Sequence, residues 1–304
     1  MTILHTALHV LVLLLLPPLL IGVVQRTKAR FAGRLGPPLF QLVFDLAKLL
    51  RKGMVVSDGT TPVFLAGPAI SLVATLAAAT LVPIGHRAAL VAFPGDMVVF
   101  AYLLALARFA TTSAALDTGS PFEGMGAARE ATFAWLAEPA LFLGFVALAR
   151  MTGTFSLSSM LCGELAALPQ VGLGALVLIA VGWFIVLLAE NCRIPFDDPN
   201  THLELTMIHE VMVLDHSGPA LGAILWAAAV KFLLFVSLVL GVALPIASGP
   251  WLNWLLFVAG CLLIAVLVGV VESTMARLRL VHVPKLLVSA ILLSAFAVVF
   301  VLDR

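Results

Sequence analysis

The chain has 304 residues, of which 62% are hydrophobic and 11% charged, with a formal net charge of +1. Soluble domains carry about 25% charged residues, so this composition excludes one and indicates an integral membrane protein. No nucleic-acid partner is expected.

Apolar runs long enough to cross a hydrocarbon core (about 20 residues, ~30 Å) lie at about 3–24, 62–84, 96–116, 131–150, 171–190, 219–244, 251–272 and 284–302. They predict an all-α polytopic membrane protein, a single integral membrane domain with eight transmembrane helices. The runs are apolar all round, unlike the alternating strands of a β-barrel. The first run is too long for a signal-peptide core and has no small-residue cleavage site after it, so it is read as a retained helix.

The segment after the first helix is basic, with Arg26, Lys28, Arg30, Arg34, Lys48, Arg51 and Lys52. Following Gly36-Pro37-Pro38, Leu39, Leu42, Val43, Leu46, Leu49 and Leu50 recur at helical spacing, with Gln41, Asp45 and Lys48 between them. The stretch is too short to span and predicts an amphipathic interfacial helix. It serves either as a basic anchor to anionic lipid or as a docking surface or lid. The next loop on that side, DTGSPFEGMGAARE (117–130), reads as a generic polar turn before a helix that begins near Arg129.

Residues 190–218 are the densest polar stretch. Of the chain's sixteen acids, six lie here: Glu190, Asp197, Asp198, Glu204, Glu210 and Asp215. Pro195 and Pro199 forbid a continuous helix, while the part from Thr201 to His216 has helical spacing. On such a helix His202, His209 and His216 would share a face, but seven residues rise ~10.5 Å, too far for two of them to bind one metal.

Arg108, Glu138 and Lys231 lie inside apolar runs, and Glu190 and Glu272 at helix ends. A charge near the midplane costs on the order of 2.5–3.5 kcal/mol on insertion scales, so such residues face a bundle interior or a water path. Arg108 and Glu138 both fall roughly 10–12 Å from the same membrane face, which allows a pair between consecutive helices. That pair is either a static salt bridge or part of a protonatable relay. Twelve of the seventeen Lys and Arg residues fall on the side of the 25–61 loop and three on the other. The positive-inside rule then places the 25–61, 117–130, 191–218 and 273–283 loops in the cytoplasm and both termini outside. Three cysteines (Cys162, Cys192, Cys261) cannot supply an iron–sulfur cluster, and no close Cys/His pairs suggest zinc. No glycine-rich phosphate loop occurs, so no catalytic residue, cofactor or metal site is expected in this chain.

GRLGPP followed by DLAKLLRK, GAAREATFAWLAE with Arg129 and Glu138, and RIPFDDP with Glu204-Leu205, Asp215 and Ser217-Gly218 resemble the family of NADH dehydrogenase subunit 1 of respiratory complex I. LDTGSPFEGMGAARE and VESTMARLRL are similar to the hydrogenase branch, the formate hydrogenlyase subunit 4 and hydrogenase-4 component C type of membrane subunit in energy-converting nickel–iron hydrogenases. The resemblance covers nearly the whole chain. It implies a non-catalytic membrane-anchoring and coupling subunit of a multisubunit respiratory oxidoreductase in a bacterial or archaeal inner membrane. The implied partners are hydrogenase-like large and small subunits, an iron–sulfur subunit and antiporter-like membrane subunits, besides membrane lipid. Iron–sulfur clusters and a Ni-Fe centre would then belong to those partners, and the resemblance leaves a quinone open. A complex I-type quinone-site subunit and a stand-alone secondary transporter are the alternatives; the transporter lacks the repeat symmetry usual for that class.

By motif match and burial cost, Glu138, Glu190, Glu204, Glu210 and Glu272, with Arg108 and Lys231 as counter-charges, are the proton-coupling candidates. Arg129, Glu130, Arg193, Asp197, Asp198, Asp215, Asp45 and Lys48 are the candidate contacts to a peripheral arm. The chain departs from the family where Asn200 and His202 replace acids, where Asp215-His216 stands for Glu-Tyr, and where the run between Glu204 and Asp215 is a few residues longer. These changes sit in the loop that would couple redox state to ion movement.

Overall fold

In hydrocarbon every backbone N–H and C=O must be bonded within its own segment, which makes each apolar run a helix. The computed structural model describes residues 3–85, 87–162, 172–197, 208–244 and 249–302. Among them, eight helices are long and apolar enough to cross a membrane. They are α1 (Ile3–Phe31), α3 (Pro62–Leu81), α4 (Asp96–Asp117), α5 (Pro121–Thr152), α7 (Leu173–Glu190), α8 (Gly218–Ala243), α9 (Pro250–Thr274) and α10 (Val283–Leu302). Between them lie α2 (Gln41–Leu50), the single turn α6 (Leu157–Leu161) and 3-10 turns at Glu210–Val213 and Leu280–His282. The protein is an all-α, multi-pass membrane protein.

Helix α8 is the hub. It packs on α1, α2, α3, α6, α7 and α9, and from Val230 to Val242 its residues are buried apart from Lys231, which is half-buried. A charge on this helix therefore sits inside the bundle. Around it α3 packs on α4, α1 on α9, and α10 on both α5 and α7. Phe145 of α5 meets Trp183 of α7 edge to face at 5.1 Å, so the core between these helices is aromatic rather than merely apolar.

Two expected segments differ. The 117–130 stretch is no polar turn, because α5 starts at Pro121, a residue preorganised for the first helical turn, and Glu123 follows in that turn. Arg129 and Glu130 thus stand more than two turns inside a helix. Gly126 lets the segment around Val211 approach: a Cβ there would collide with Val211 Cγ1. The second difference concerns the stretch from Thr201 to His216, expected to be helical. Its described part, from Ile208 onward, holds only a 3-10 turn, so His209 and His216 share no helical face. Asn200, His202, Asp198 and Glu204 lie outside the described residues.

The α2 helix has the expected amphipathic character and no fully buried residue. Leu46 and Leu49 face Gly222 of α8, while Lys48 is exposed.

Candidate functional site

Arg108 of α4 is the centre of the polar interior. Its Nη1 lies 2.6 Å from Glu138 Oε1 on α5, the pair that helix depth predicts, and its Nη2 lies 2.8 Å from Glu190 Oε1 at the end of α7. The second contact is not predictable from neighbouring helices. A planar guanidinium offers its donors in a fixed fork, so one arginine can hold two carboxylates where a lysine could not do so with the same geometry. Glu190 Oε2 lies 3.6 Å from Lys231 Nζ on α8. Four ionisable groups from four helices therefore form one track: Glu138, Arg108, Glu190, Lys231. Exposure is 40% for the Glu138 side chain and lowest, at 6%, for Glu190.

The track opens into a cavity of about 330 Å³. Arg108, Glu190 and Lys231 line it together with Glu130, Cys192, Arg193, Asp197, His209 and Glu210, and with Asp45 and Gln25 from the α1–α2 side. A smaller cavity of about 130 Å³ shares Arg108, Glu190 and Glu138. Arg108 and Glu190 line both spaces, and Glu138 lines the smaller one alone.

The loop after α7 is fixed from several directions. Cys192 N–H donates to the Ala189 carbonyl at 3.1 Å and Arg193 N–H to the Leu188 carbonyl at 2.9 Å. This paired closure of a helix C-terminus requires a left-handed residue, usually glycine; here it is Cys192 at φ 50°. Arg193 then reaches Glu272 at 3.4 Å and lies over the Phe232 ring, 5.3 Å from its centroid. Glu272 is buried and takes Lys28 of α1 at 2.7 Å as well. Asp197 accepts the backbone N–H groups of Ile208 and His209 at 2.9 and 3.2 Å and pairs with Arg277 at 2.9 Å. One buried carboxylate thereby ties the loop to itself and to the segment after α9.

Beside this frame, Cys192 Sγ points toward Glu130 Oε2 at 3.9 Å. His209 joins them, and one ligand atom from each of the three lies within 4.8 Å of the others. Burial, reinforced by the Glu130 carboxylate, holds the Cys192 thiol well above its ordinary range. Burial lowers the His209 imidazole below its usual value, although the Glu130 and Asp197 carboxylates oppose the shift.

Other expected contacts are more peripheral. Asp215 is exposed, and its N–H donates to Glu123 Oε1 at 3.3 Å. Asp45 accepts from Gln41 Nε2 at 2.9 Å, and Arg129 Nη2 approaches Met125 Sδ at 3.0 Å. His216 stacks on Phe64 at 4.1 Å between ring centroids. In the sequence Lys28 and Arg277 register only as loop charge, yet both are partners of buried acids. The convergence of Glu130, Cys192 and His209 has no spacing signature either, because they come from separate elements.

Among the described residues, eight helices long and apolar enough to span a membrane surround a track of ionisable groups, which defines a membrane protein with charge inside its helix bundle. The family model described as NADH dehydrogenase matches residues 4–302, and the chain belongs to that family, the complex I subunit 1-like membrane proteins. It is 31% identical to formate hydrogenlyase subunit 4 of Escherichia coli (strain K12), covering 94% of each chain. It is also 31% identical to hydrogenase-4 component C of the same organism, over 95% of this chain and 92% of that one. A chain in the structure of the membrane-bound sulfane sulfur reductase, an archaeal respiratory membrane complex, has the same fold, with a TM-score of 0.82 at 21% identity over 98% of both chains.

Proposed function

We propose that this chain is the membrane-anchoring and coupling subunit of a multisubunit respiratory oxidoreductase of the formate hydrogenlyase and hydrogenase-4 type. In this reading it links a peripheral redox arm to proton or sodium translocation. The observation that carries it is the ion-pair track from Glu138 through Arg108 and Glu190 to Lys231, which opens into the cavity lined by Cys192, Arg193, Asp197 and His209. Such groups are costly in a bilayer, and a passive anchor needs none of them. Glu138, Glu190, Glu204, Glu210 and Glu272 are the acids through which protons move, and Arg108 and Lys231 set their charge balance.

The arm docks on the face formed by the 25–61, 117–130, 191–218 and 273–283 segments, which the positive-inside rule assigns to the cytoplasm. Both termini then lie on the opposite side of the cytoplasmic membrane. Arg129, Glu130, Arg193, Asp197, Asp198, Asp215, Asp45 and Lys48 belong to that docking region. The partners are hydrogenase-like large and small subunits and an iron–sulfur subunit, which hold the redox centres, with antiporter-like subunits alongside in the membrane. The exposure of Glu138 on an apolar helix supports a neighbour in the membrane, since lipid would leave that carboxylate unsolvated. Purification of the tagged chain in mild detergent tests the assembly. Co-purification with iron–sulfur and hydrogenase-like subunits supports it, and a homogeneous single chain that retains transport contradicts it.

A further inference from the structure

Cys192, His209 and Glu130 line the cavity but take no part in the ion-pair track. They offer a thiol, an imidazole and a carboxylate from three elements: the turn after α7, the segment before the 3-10 turn at Glu210–Val213, and α5. Their ligand atoms lie within 4.8 Å of one another. A tetrahedral Zn²⁺, with Zn–S near 2.3 Å and Zn–N and Zn–O near 2.0–2.2 Å, needs separations of about 3.3–3.6 Å, so closure by roughly 1 Å completes the set. That set, one sulfur, one nitrogen and one oxygen, matches a borderline-soft divalent cation and not Mg²⁺ or Ca²⁺, which take oxygen ligands.

Three further observations favour a cation there. His209 Nδ1 is buried without a hydrogen-bond partner, a state that a buried polar nitrogen does not hold without cost. Cys192 occupies a left-handed backbone position that glycine would fill without strain, and strain of this kind gathers at functional sites. The cavity's nearby basic groups are also engaged elsewhere. Lys231 is paired with Glu190, Arg193 with Glu272 and Arg277 with Asp197. Among the described residues Glu130 forms no ion pair.

We infer that Glu130, Cys192 and His209 form a binding site for Zn²⁺ or a cation of the same class, with a fourth position open to water. Binding replaces the thiol proton of Cys192, which leaves to solvent, and involves no electron transfer. An occupied site would lock the turn after α7 and the Ile208–Val213 segment onto α5 at the wall of the cavity. The inference does not require the coupling role proposed above, because it concerns metal binding by the chain itself.

The test uses the full chain in detergent, with Zn²⁺ alone as probe, in competition with a chelator of known affinity. One zinc per chain is expected. Binding should weaken at least about tenfold in Glu130→Gln, His209→Gln and Cys192→Ser, since losing even an outer-shell partner costs 10–100-fold. Cys261→Ser, at a buried thiol in α9, should bind as the parent does. Cys192→Gly serves as a second null variant, because its backbone suits the left-handed turn and preserves the fold. Zinc should also slow alkylation of Cys192 in the unmutated chain. Absence of stoichiometric zinc, zinc retained by Cys192→Gly, or alkylation unaffected by zinc would each overturn the site.

Discussion

Arg108 and Glu190 lie 2.8 Å apart across the gap between α4 and α7, and the same guanidinium holds Glu138 at 2.6 Å. Removing the arginine would leave Glu138 without its ion-pair partner and buried Glu190 with only the longer contact to Lys231 at 3.6 Å. Breaking one side of a buried pair typically costs 3–5 kcal/mol. Arg108→Leu should therefore lower stability by about that amount, read as a clear fall in the thermal unfolding midpoint in detergent. Glu138→Gln should cost less than Glu190→Gln, because the Glu138 side chain is far more exposed.

The Glu272 carboxylate takes both Lys28 and Arg193, so it joins α1, α9 and the loop after α7. Glu272→Gln should destabilise the protein by about 3 kcal/mol, and Lys28→Met by less, because Arg193 remains. A double-mutant cycle of Lys28 with Glu272 should give a coupling energy within the 0.5–3 kcal/mol seen for residues in one network. Additive effects would mean the contact contributes nothing.

The helices and the pair between Arg108 and Glu138 are legible from the sequence because both depend on local quantities, namely run length and depth along a helix. What stays hidden depends on tertiary approach. The α5 start at Pro121 is masked by Gly124 and Gly126, which lower helix propensity, while Gly126 permits the Ile208–Val213 segment to close on the helix. The link from Arg193 to Glu272, and from Asp197 to Arg277, crosses long stretches of sequence with no periodic signal. The apolar spacing before His216 is helical, yet the described part is a 3-10 turn. Its peptide groups are partly satisfied by Asp197 instead of by a helix.

Gly126 offers a direct check on that packing. A valine there would meet Val211 and Met212, and overpacking of this kind costs about 1–3 kcal/mol. Gly126→Val should lower the unfolding midpoint and raise protease sensitivity near residues 208–213, whereas Gly124→Val should do much less.

Cys192 is the one described non-glycine residue with positive φ. Cys192→Gly should stabilise the chain by about 1 kcal/mol through relief of left-handed strain. Cys192→Ala keeps the strain and should not. Equal midpoints for the two variants would contradict the backbone account.

His216 stacks on Phe64, and neither ring nitrogen has a hydrogen-bond partner. Burial lowers its imidazole below the ordinary value of 6.5, although Asp215 opposes the shift. A lowered folded value means the unfolded chain binds the proton more readily. The contribution is therefore fully present above pH 6.5 and declines as pH falls from there through the folded value. His216→Phe should keep the stack and remove this dependence, seen as a flatter difference in unfolding midpoint between pH 7.5 and 5.

The central claim is that the buried charges couple redox change to ion movement, and Glu190 stands where the track meets the cavity. The decisive measurement is ion translocation per electron transferred, in proteoliposomes that contain the whole complex with Glu190→Gln in this chain. Coupling predicts that translocation collapses while the complex stays assembled and the redox partial reaction in the peripheral arm continues. An assembled complex that translocates as many ions per electron as the parent would contradict it.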